Sequence, residues 1–232
     1  MPNDGKVCSF DCLYCEAGFN AQGTGTTGLP TRSEVASLLE NKLSEMKNAG
    51  EKLNVITFSG NGEPTLHPEF SEIIDDVISL RDKYFPNVKI SVLSNSTRVH
   101  IAKTADALRK VDNNILKLDS AINATAFAID RPVNKGYDVK DIIAHLADFD
   151  GKCIVQTMFI RGTYNDVTFD NTTEAEVAAL IEAYKTIKPA EVMIYSIDRK
   201  TPADGLMKIT AEELGIIAEK IRKAGIKVLA AS

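Results

Sequence analysis

The chain has 232 residues, 44% of them hydrophobic and 25% charged, with a formal net charge of −5; that is enough for one large α/β domain or two small ones and lies within the range of ordinary globular proteins. The negative balance offers no broad basic surface of the kind that announces nucleic acid. No apolar run approaches the ~18 residues of a membrane span, and the opening "MPNDGKVCSF" has no apolar core of a signal peptide. The chain therefore reads as cytoplasmic, where thiols stay reduced and clustered cysteines serve as metal ligands or catalysts.

The predicted elements alternate along the chain. "TRSEVASLLENKLSEMKNAG" is helical, capped by Thr31 or Ser33, with Val35, Leu38, Leu39, Leu43 and Met46 as its apolar stripe. A β-rich run, "LNVITFSG", follows. "HPEFSEIIDDVISLRDKYF" is a helix with Pro68 near its first turn, "VKISVLSN" a strand and "VHIAKTADALRKV" a helix. "NILKLDSA" is a strand, "DVKDIIAHLADF" a helix and "KCIVQTMFIRG" a strand. "TTEAEVAALIEAYKTI" opens on a Thr172/Thr173 cap and precedes the strand "EVMIYSID". The last helix, "TAEELGIIAEKIRKAG", starts with a Thr210–Glu213 capping box and ends at Gly225; "IKVLA" adds a short strand.

Strands that each follow a helix, about 30 to 40 residues apart, mean right-handed βαβ units and a parallel sheet or barrel. No repeat, low-complexity tract or linker divides the chain, so residues 1–232 read as a single domain. In "ILKLDS", Leu116 and Leu118 face one way, Lys117 and Asp119 the other. A doubly wound sheet would bury both faces; polar residues on one face suit a barrel whose lumen holds a ligand. In such folds sites lie at the C-terminal ends of strands. The segments "SGNGEPTLHP", "SNST", "DSA", "RGTYND" and "SIDRKTP" fall there. In "SGNGEP", Gly60 and Gly62 let backbone approach a ligand closely, beside the carboxylate of Glu63. Thr65 takes the third glycine position of a dinucleotide fingerprint, and no G-K-[ST] follows for a P-loop.

The stretch "KVCSFDCLYCE" holds three of the four cysteines, Cys8, Cys12 and Cys15, spaced C-x3-C-x2-C. A structural zinc site takes four ligands; a disulfide would leave one thiol over. Three thiolates can hold three irons of a cubane cluster and leave the fourth iron open to a chelating ligand. Cys153, within an apolar run, reads as a buried small hydrophobe.

"CSFDCLYC", followed after a helix and a strand by "GNGEP", resembles the radical S-adenosylmethionine (radical SAM) superfamily. "CEAGFN", "FSGNGEPTLHPEF" and "VLSNST" resemble its branch of Fe–S oxidoreductases related to wyosine-type tRNA-modifying enzymes. The resemblance implies a (β/α)6-type barrel and an enzyme. In it, Cys8, Cys12 and Cys15 ligate a [4Fe–4S] cluster, and the methionine end of S-adenosylmethionine chelates the unique iron. Reductive C–S cleavage then gives a 5′-deoxyadenosyl radical that abstracts hydrogen from a substrate, fed by an external donor such as flavodoxin or ferredoxin. Gly60, Gly62 and Glu63 match the motif that holds the methionine amino group; Asn95 falls where the family contacts the ribose. Ser120 or Asp119 is a polar contact from the next strand, Tyr195, Ser196 and Ile197 fall beside the adenine, and Tyr14 packs near that ring. Lys117, Asp119, Gln156 and Arg161 are lumen-facing candidates for substrate chemistry, Lys117 and Asp119 also forming a simple ion pair. His67 reads as a helix-opening residue, and His100 and His145 as surface residues on helices; Asp198 and Arg199 lie in a loop where they meet substrate or each other.

In a barrel of this type the cluster loop follows the first strand. Only "MPNDGKV", a turn cluster by composition, precedes Cys8. The expectation is thus a partial barrel, truncated at its N-terminus and lacking its first strand, unless "IKVLA" fills the gap. Two competing readings remain. One is a metal or redox-interaction module without SAM chemistry, with Asp11, Glu16 or a partner as fourth ligand. The other is a tRNA-modifying member of the superfamily, for which the charge balance gives no support.

Overall fold

A computed structural model of the chain describes residues 1–231. Four of the seven α-helices described open on a side-chain N-cap, Thr31, Asp138, Thr173 or Thr210. Helix α1 (Arg32–Asn48) opens on a reciprocal box in which Thr31 accepts from the Glu34 N–H and Glu34 accepts from the Thr31 N–H. Helix α2 (Phe70–Tyr84) buries Phe70, Ile73, Ile74 and Val77, the i, i+3, i+4, i+7 face of one stripe. Thr173 caps α6 (Glu174–Ile187), and the Thr210–Glu213 box caps α7 (Ala211–Lys223). Between them lie α3 (Ala102–Leu108), α4 (Asn123–Ile129) and α5 (Val139–Ala147). Helix α4 had no counterpart in the sequence reading: its two buried side chains, Ala126 and Ile129, make a stripe too short to recognise. His100 lies in the turn before α3 and not within a helix.

The strands β1 (Val55–Phe58), β2 (Lys89–Ser94), β3 (Asn113–Lys117), β4 (Ile154–Met158), β7 (Glu191–Tyr195) and β9 (Val228–Ala231) form one sheet in the order β1-β2-β3-β4-β7-β9. Every pairing in it is parallel. The alternation read in β3 is real: Leu116 and Leu118 join Val92, Val155 and Val192 in the core beneath the helices. Lys117, across from Gln156 in register, faces the other way. Among the described residues β1 and β9 end the sheet at opposite edges and do not pair, so "IKVLA" lies beside β7 and leaves the β1 edge open. The result is an open, partial barrel.

The run "KCIVQTMFIRG" is two strands. β4 ends at Met158, and β5 (Ile160–Tyr164) leaves the parallel sheet to pair antiparallel with β6 (Val167–Asp170) and β8 (Leu206–Lys208). The β5–β6 turn places Asn165 and Asp166 at φ 48° and 62°, the left-handed pair that a two-residue hairpin requires. Asn171, fully buried, ties the two sheets together. Its Oδ1 accepts from the Ile160 N–H at 2.8 Å, and its Nδ2 donates to Asp119 O and Met158 O at 2.8 and 2.7 Å. A second apolar cluster, including Phe10, Leu13, Ile129, Met158, Ile160 and Phe169, sits under the cysteine loop.

Candidate active site

The cysteine loop has no regular secondary structure, yet it is firmly held. Phe10 and Leu13, set between the cysteines, are 1% and 0% exposed and act as its apolar anchors. The Asp11 and Leu13 N–H groups donate to the carbonyls of Asp130 and Ile129 at the end of α4, each at 3.0 Å. Asp11 accepts from the Asn20 N–H at 2.6 Å and lies 3.2 Å from Arg131, so it serves the loop itself. Glu16 pairs with Arg199 at 2.7 Å on the surface, and Asp198 pairs with Lys208.

The loop and the C-terminal ends of the parallel strands enclose a cavity of about 280 Å³. Cys8, Cys12 and Cys15 all line it, together with Glu63, Lys117 and Tyr195. All four cysteines are free thiols; Cys153 lies apart in the helix-side core, where burial pushes its thiol up to about 12. Burial likewise raises the Cys12 thiol far above its ordinary value and that of Cys8 less. Among the described residues no three His, Cys, Asp or Glu side chains converge closely enough to share a single metal ion. Three free thiols from one loop thus face a single cavity.

One wall of the cavity is built around Glu63, which is 2% exposed. Its Oε1 accepts from Thr65 N–H at 3.1 Å, Thr65 O–H at 2.5 Å and Ser94 O–H at 2.8 Å; its Oε2 accepts from the Asn95 N–H at 2.6 Å. Burial raises its pKa, opposed by these four donors. Oε2 carries one bond and has room for another donor. Gly62 holds φ at 135°, and a Cβ there would lie 1.9 Å from the carbonyl oxygen of Val7. The close approach that requires a glycine is thus the chain's own: Val7 bridges Gly62, and the Glu63 N–H donates to Val7 O at 2.9 Å. Gly60, at φ 134°, faces open space.

The opposite wall is a buried charge network. The Lys117 ammonium donates to the Tyr14 hydroxyl, which donates in turn to Asp119. Lys117 lies 3.3 Å from Asp119, whose Oδ1 accepts from the Met158 N–H at 2.8 Å. Asp130 completes the network, within 3.3 Å of Tyr14 and 3.5 Å of Cys12 Sγ. Burial opposes the charge on Lys117, but Asp119 and its acidic neighbours outweigh it and hold the pKa well above normal. Burial, and then Asp119, push Asp130 well up. Tyr14 is 8% exposed and its hydroxyl is fully engaged. Gln156 and Tyr195 line the cavity, and burial takes Tyr195 to about 12.

Several expected site residues lie elsewhere. Arg161 stands on β5, bonded to Thr172 and Glu213, outside the lumen, because the chain leaves the barrel after Met158. Ser120 donates to Glu176 at 2.7 Å and is absent from the cavity wall. Ser196 Oγ donates to Phe159 O at 2.8 Å, while Ser196 and Ile197 line an adjoining cleft beside Tyr14 and Tyr195. His67 donates from Nε2 to Pro30 O at 2.8 Å and accepts the Glu69 N–H on Nδ1, the helix-opening role expected of it. The sequence reading missed Asp130 altogether; only recognition of α4, which presents it, would have found it.

A family profile described as the radical SAM superfamily matches residues 3–182. The chain belongs to the radical SAM superfamily. It is 27% identical over 199 residues to a UPF0026 protein of Helicobacter pylori, a match that covers 84% of this chain and 59% of that one. The chain therefore spans somewhat more than half the length of this relative. Its fold is similar to that of a radical SAM methyltransferase from Sphaerobacter thermophilus, with a TM-score of 0.72, 18% identity and coverage of 97% and 63% of the two chains. TYW1 with a lysine–pyruvate adduct bound is also similar, with a TM-score of 0.62, 15% identity and coverage of 94% and 70%. Superfamily membership implies an iron–sulfur cluster and S-adenosylmethionine, and the donors here fit both: three free thiols around one cavity, and a buried carboxylate beside them.

Proposed function

We propose that this chain is a radical SAM enzyme that uses a [4Fe–4S] cluster to cleave S-adenosylmethionine reductively. The observation that carries the reading is the shared cavity, where three thiols from one loop face the same space as Glu63. Cys8, Cys12 and Cys15 would hold three irons, leaving one open. When bound, the reduced cluster would supply one electron to the sulfonium of S-adenosylmethionine, whose C5′–S bond would break to give methionine and a 5′-deoxyadenosyl radical able to take a hydrogen atom from the substrate. The protein's part is placement. Glu63 would accept from the methionine ammonium, a charge-assisted bond, within a site already ordered by Thr65, Ser94 and Asn95. Tyr195, Ser196 and Ile197 border the cleft next to Tyr14, suited to a flat base. Lys117, at the end of β3, and Gln156, on β4, are polar groups that line the cavity, and Asp119 lies behind Lys117 as its buried partner, 3.3 Å away.

A metal carrier without SAM chemistry fits less well. Asp11, one of its fourth-ligand candidates, is committed to Asn20 and Arg131, and a carrier has no use for a preformed carboxylate site. The wyosine-type resemblance supports an RNA substrate as the finer reading, with flavodoxin or ferredoxin as electron donor. The test is anaerobic turnover. The reduced, reconstituted chain should release 5′-deoxyadenosine and methionine in equal amounts, and a chain that holds four irons yet leaves S-adenosylmethionine intact would sink the proposal.

A further inference from the structure

Asn95 stands at the C-terminal end of β2, where the family resemblance points it toward a ribose. Its carboxamide is engaged by Ser9 and Thr97. Asn95 Oδ1 accepts from the Thr97 N–H at 3.1 Å and from the Thr97 hydroxyl at 2.8 Å. A backbone N–H can only donate, so the atom facing Thr97 is the oxygen and the amide cannot be reversed. The Nδ2 group then faces the cysteine loop, 2.9 Å from Ser9 Oγ and 3.6 Å from Cys8 Sγ.

The rest of the network follows. Ser9 Oγ and Thr97 Oγ1 are 2.6 Å apart. The Thr97 hydroxyl proton is already given to Asn95, so Ser9 donates to Thr97 and accepts from Asn95. The three side chains close a ring whose hydrogen bonds all run in one direction. One of the two Nδ2 protons completes this ring; the other is left for the Cys8 sulfur. The backbone is set to match: Ser96 holds φ at 68°, with its N–H on Ser94 Oγ and its hydroxyl on Lys117 O. Asn95 is 7% exposed, its carboxamide held between the cysteine loop and Thr97.

We propose that Asn95 is a positioning residue that donates an N–H···S hydrogen bond to the cluster ligand Cys8 and so raises the reduction potential of the cluster. The inference rests on the reading that Cys8 holds iron. A cluster-bound thiolate is an acceptor with no proton of its own. A donor on that sulfur draws electron density away from the metal, and hydrogen bonds to sulfur are among the determinants of cluster potential. Since the Asn95 N–H also bonds Glu63 Oε2 at 2.6 Å, one residue ties the ordering of the carboxylate wall to the electronics of the nearest sulfur.

The test is EPR-monitored potentiometry on the reconstituted chain, with iron content measured in parallel. Asn95→Leu removes the donor and should lower the midpoint potential, so that at a fixed potential the ratio of reduced to oxidised cluster falls by up to about tenfold, roughly 59 mV for one electron. Asn95→Asp, which sets an acceptor against the sulfur, should lower it further. An unchanged midpoint in Asn95→Leu at wild-type iron content would overturn the proposal. Should that variant fail to take up iron, Asn95→Asp decides, because it keeps the shape of the side chain and its contacts with Thr97: a lowered midpoint supports the proposal and an unchanged one overturns it. A wild-type chain that takes up no iron overturns the cluster reading itself, and this inference with it.

Discussion

The two walls of the cavity are built on opposite principles. The Glu63 wall is a single buried carboxylate met by four neutral donors within hydrogen-bonding distance, all from its own loop and the end of β2. The Tyr14 wall packs a cation, two carboxyls and a phenol drawn from the cysteine loop, β3 and α4. A carboxylate met by fixed dipoles is ordered before any ligand arrives. A network in which Lys117 is answered by Asp119 leaves little net charge to offer, but it holds the loop that carries the cysteines. The first wall thus suits recognition and the second suits support.

The largest effect should separate both walls from the thiols they surround. Cys8→Ala, Cys12→Ala or Cys15→Ala should each abolish the reconstituted cluster, read as iron content and visible absorbance, whereas Cys153→Ala, in the helix-side core, should leave it intact. Next come the walls. Asp119→Asn strips Lys117 of its counter-ion at a site where the two side chains are 0% and 14% exposed, and breaking such a pair costs about 3–5 kcal/mol. Asp130, whose pKa is pushed well up by burial, accepts an uncharged replacement, so Asp130→Asn should cost only about 1 kcal/mol, the scale of one neutral hydrogen bond. Urea denaturation of the two variants compares them directly, and equal losses would contradict the division of charge described here.

Glu63→Ala should weaken S-adenosylmethionine binding to the loaded protein by about 1–3 kcal/mol, the value of a charge-assisted hydrogen bond. Glu63→Gln should lose affinity while keeping more of the fold's stability, because its remaining amide oxygen still accepts from the neighbouring donors. Calorimetric binding and thermal melts of both variants sharpen the contrast between recognition and support. The smallest effect lies outside both walls: Thr210→Ala removes the cap of α7 and should cost about 1 kcal/mol, lowering the melting temperature by about 2–4 °C without altering the cluster.

The same two walls show what a sequence makes legible. Glu63 and the cysteines lie in short local patterns, and the helices and parallel strands announce themselves through caps and alternation. Even the Lys117/Leu116 alternation, which favoured a ligand-holding lumen over a doubly wound sheet, matches the sides on which those residues lie. The Tyr14 wall depends on tertiary placement. Asp130 arrives from a seven-residue helix with two buried side chains, and Asn171 joins the two sheets through bonds that no periodicity foretells. Arg161 looked lumenal because one apolar run spans β4 and β5; the change of sheet at Phe159, where Tyr195 and Ser196 hold the backbone, has no local signature. Gly62 was rightly singled out, but what comes close to it is Val7.

The most direct test of the central claim is the EPR spectrum of the dithionite-reduced, anaerobically reconstituted chain, recorded before and after S-adenosylmethionine is added. A [4Fe–4S] cluster held by Cys8, Cys12 and Cys15, with its fourth iron open to the cavity of Glu63, predicts a reduced-cluster signal whose g-values shift on addition of S-adenosylmethionine. In Glu63→Ala that shift should require a higher S-adenosylmethionine concentration. A chain that binds stoichiometric zinc in place of iron, or a reduced cluster whose spectrum is indifferent to saturating S-adenosylmethionine, would contradict it.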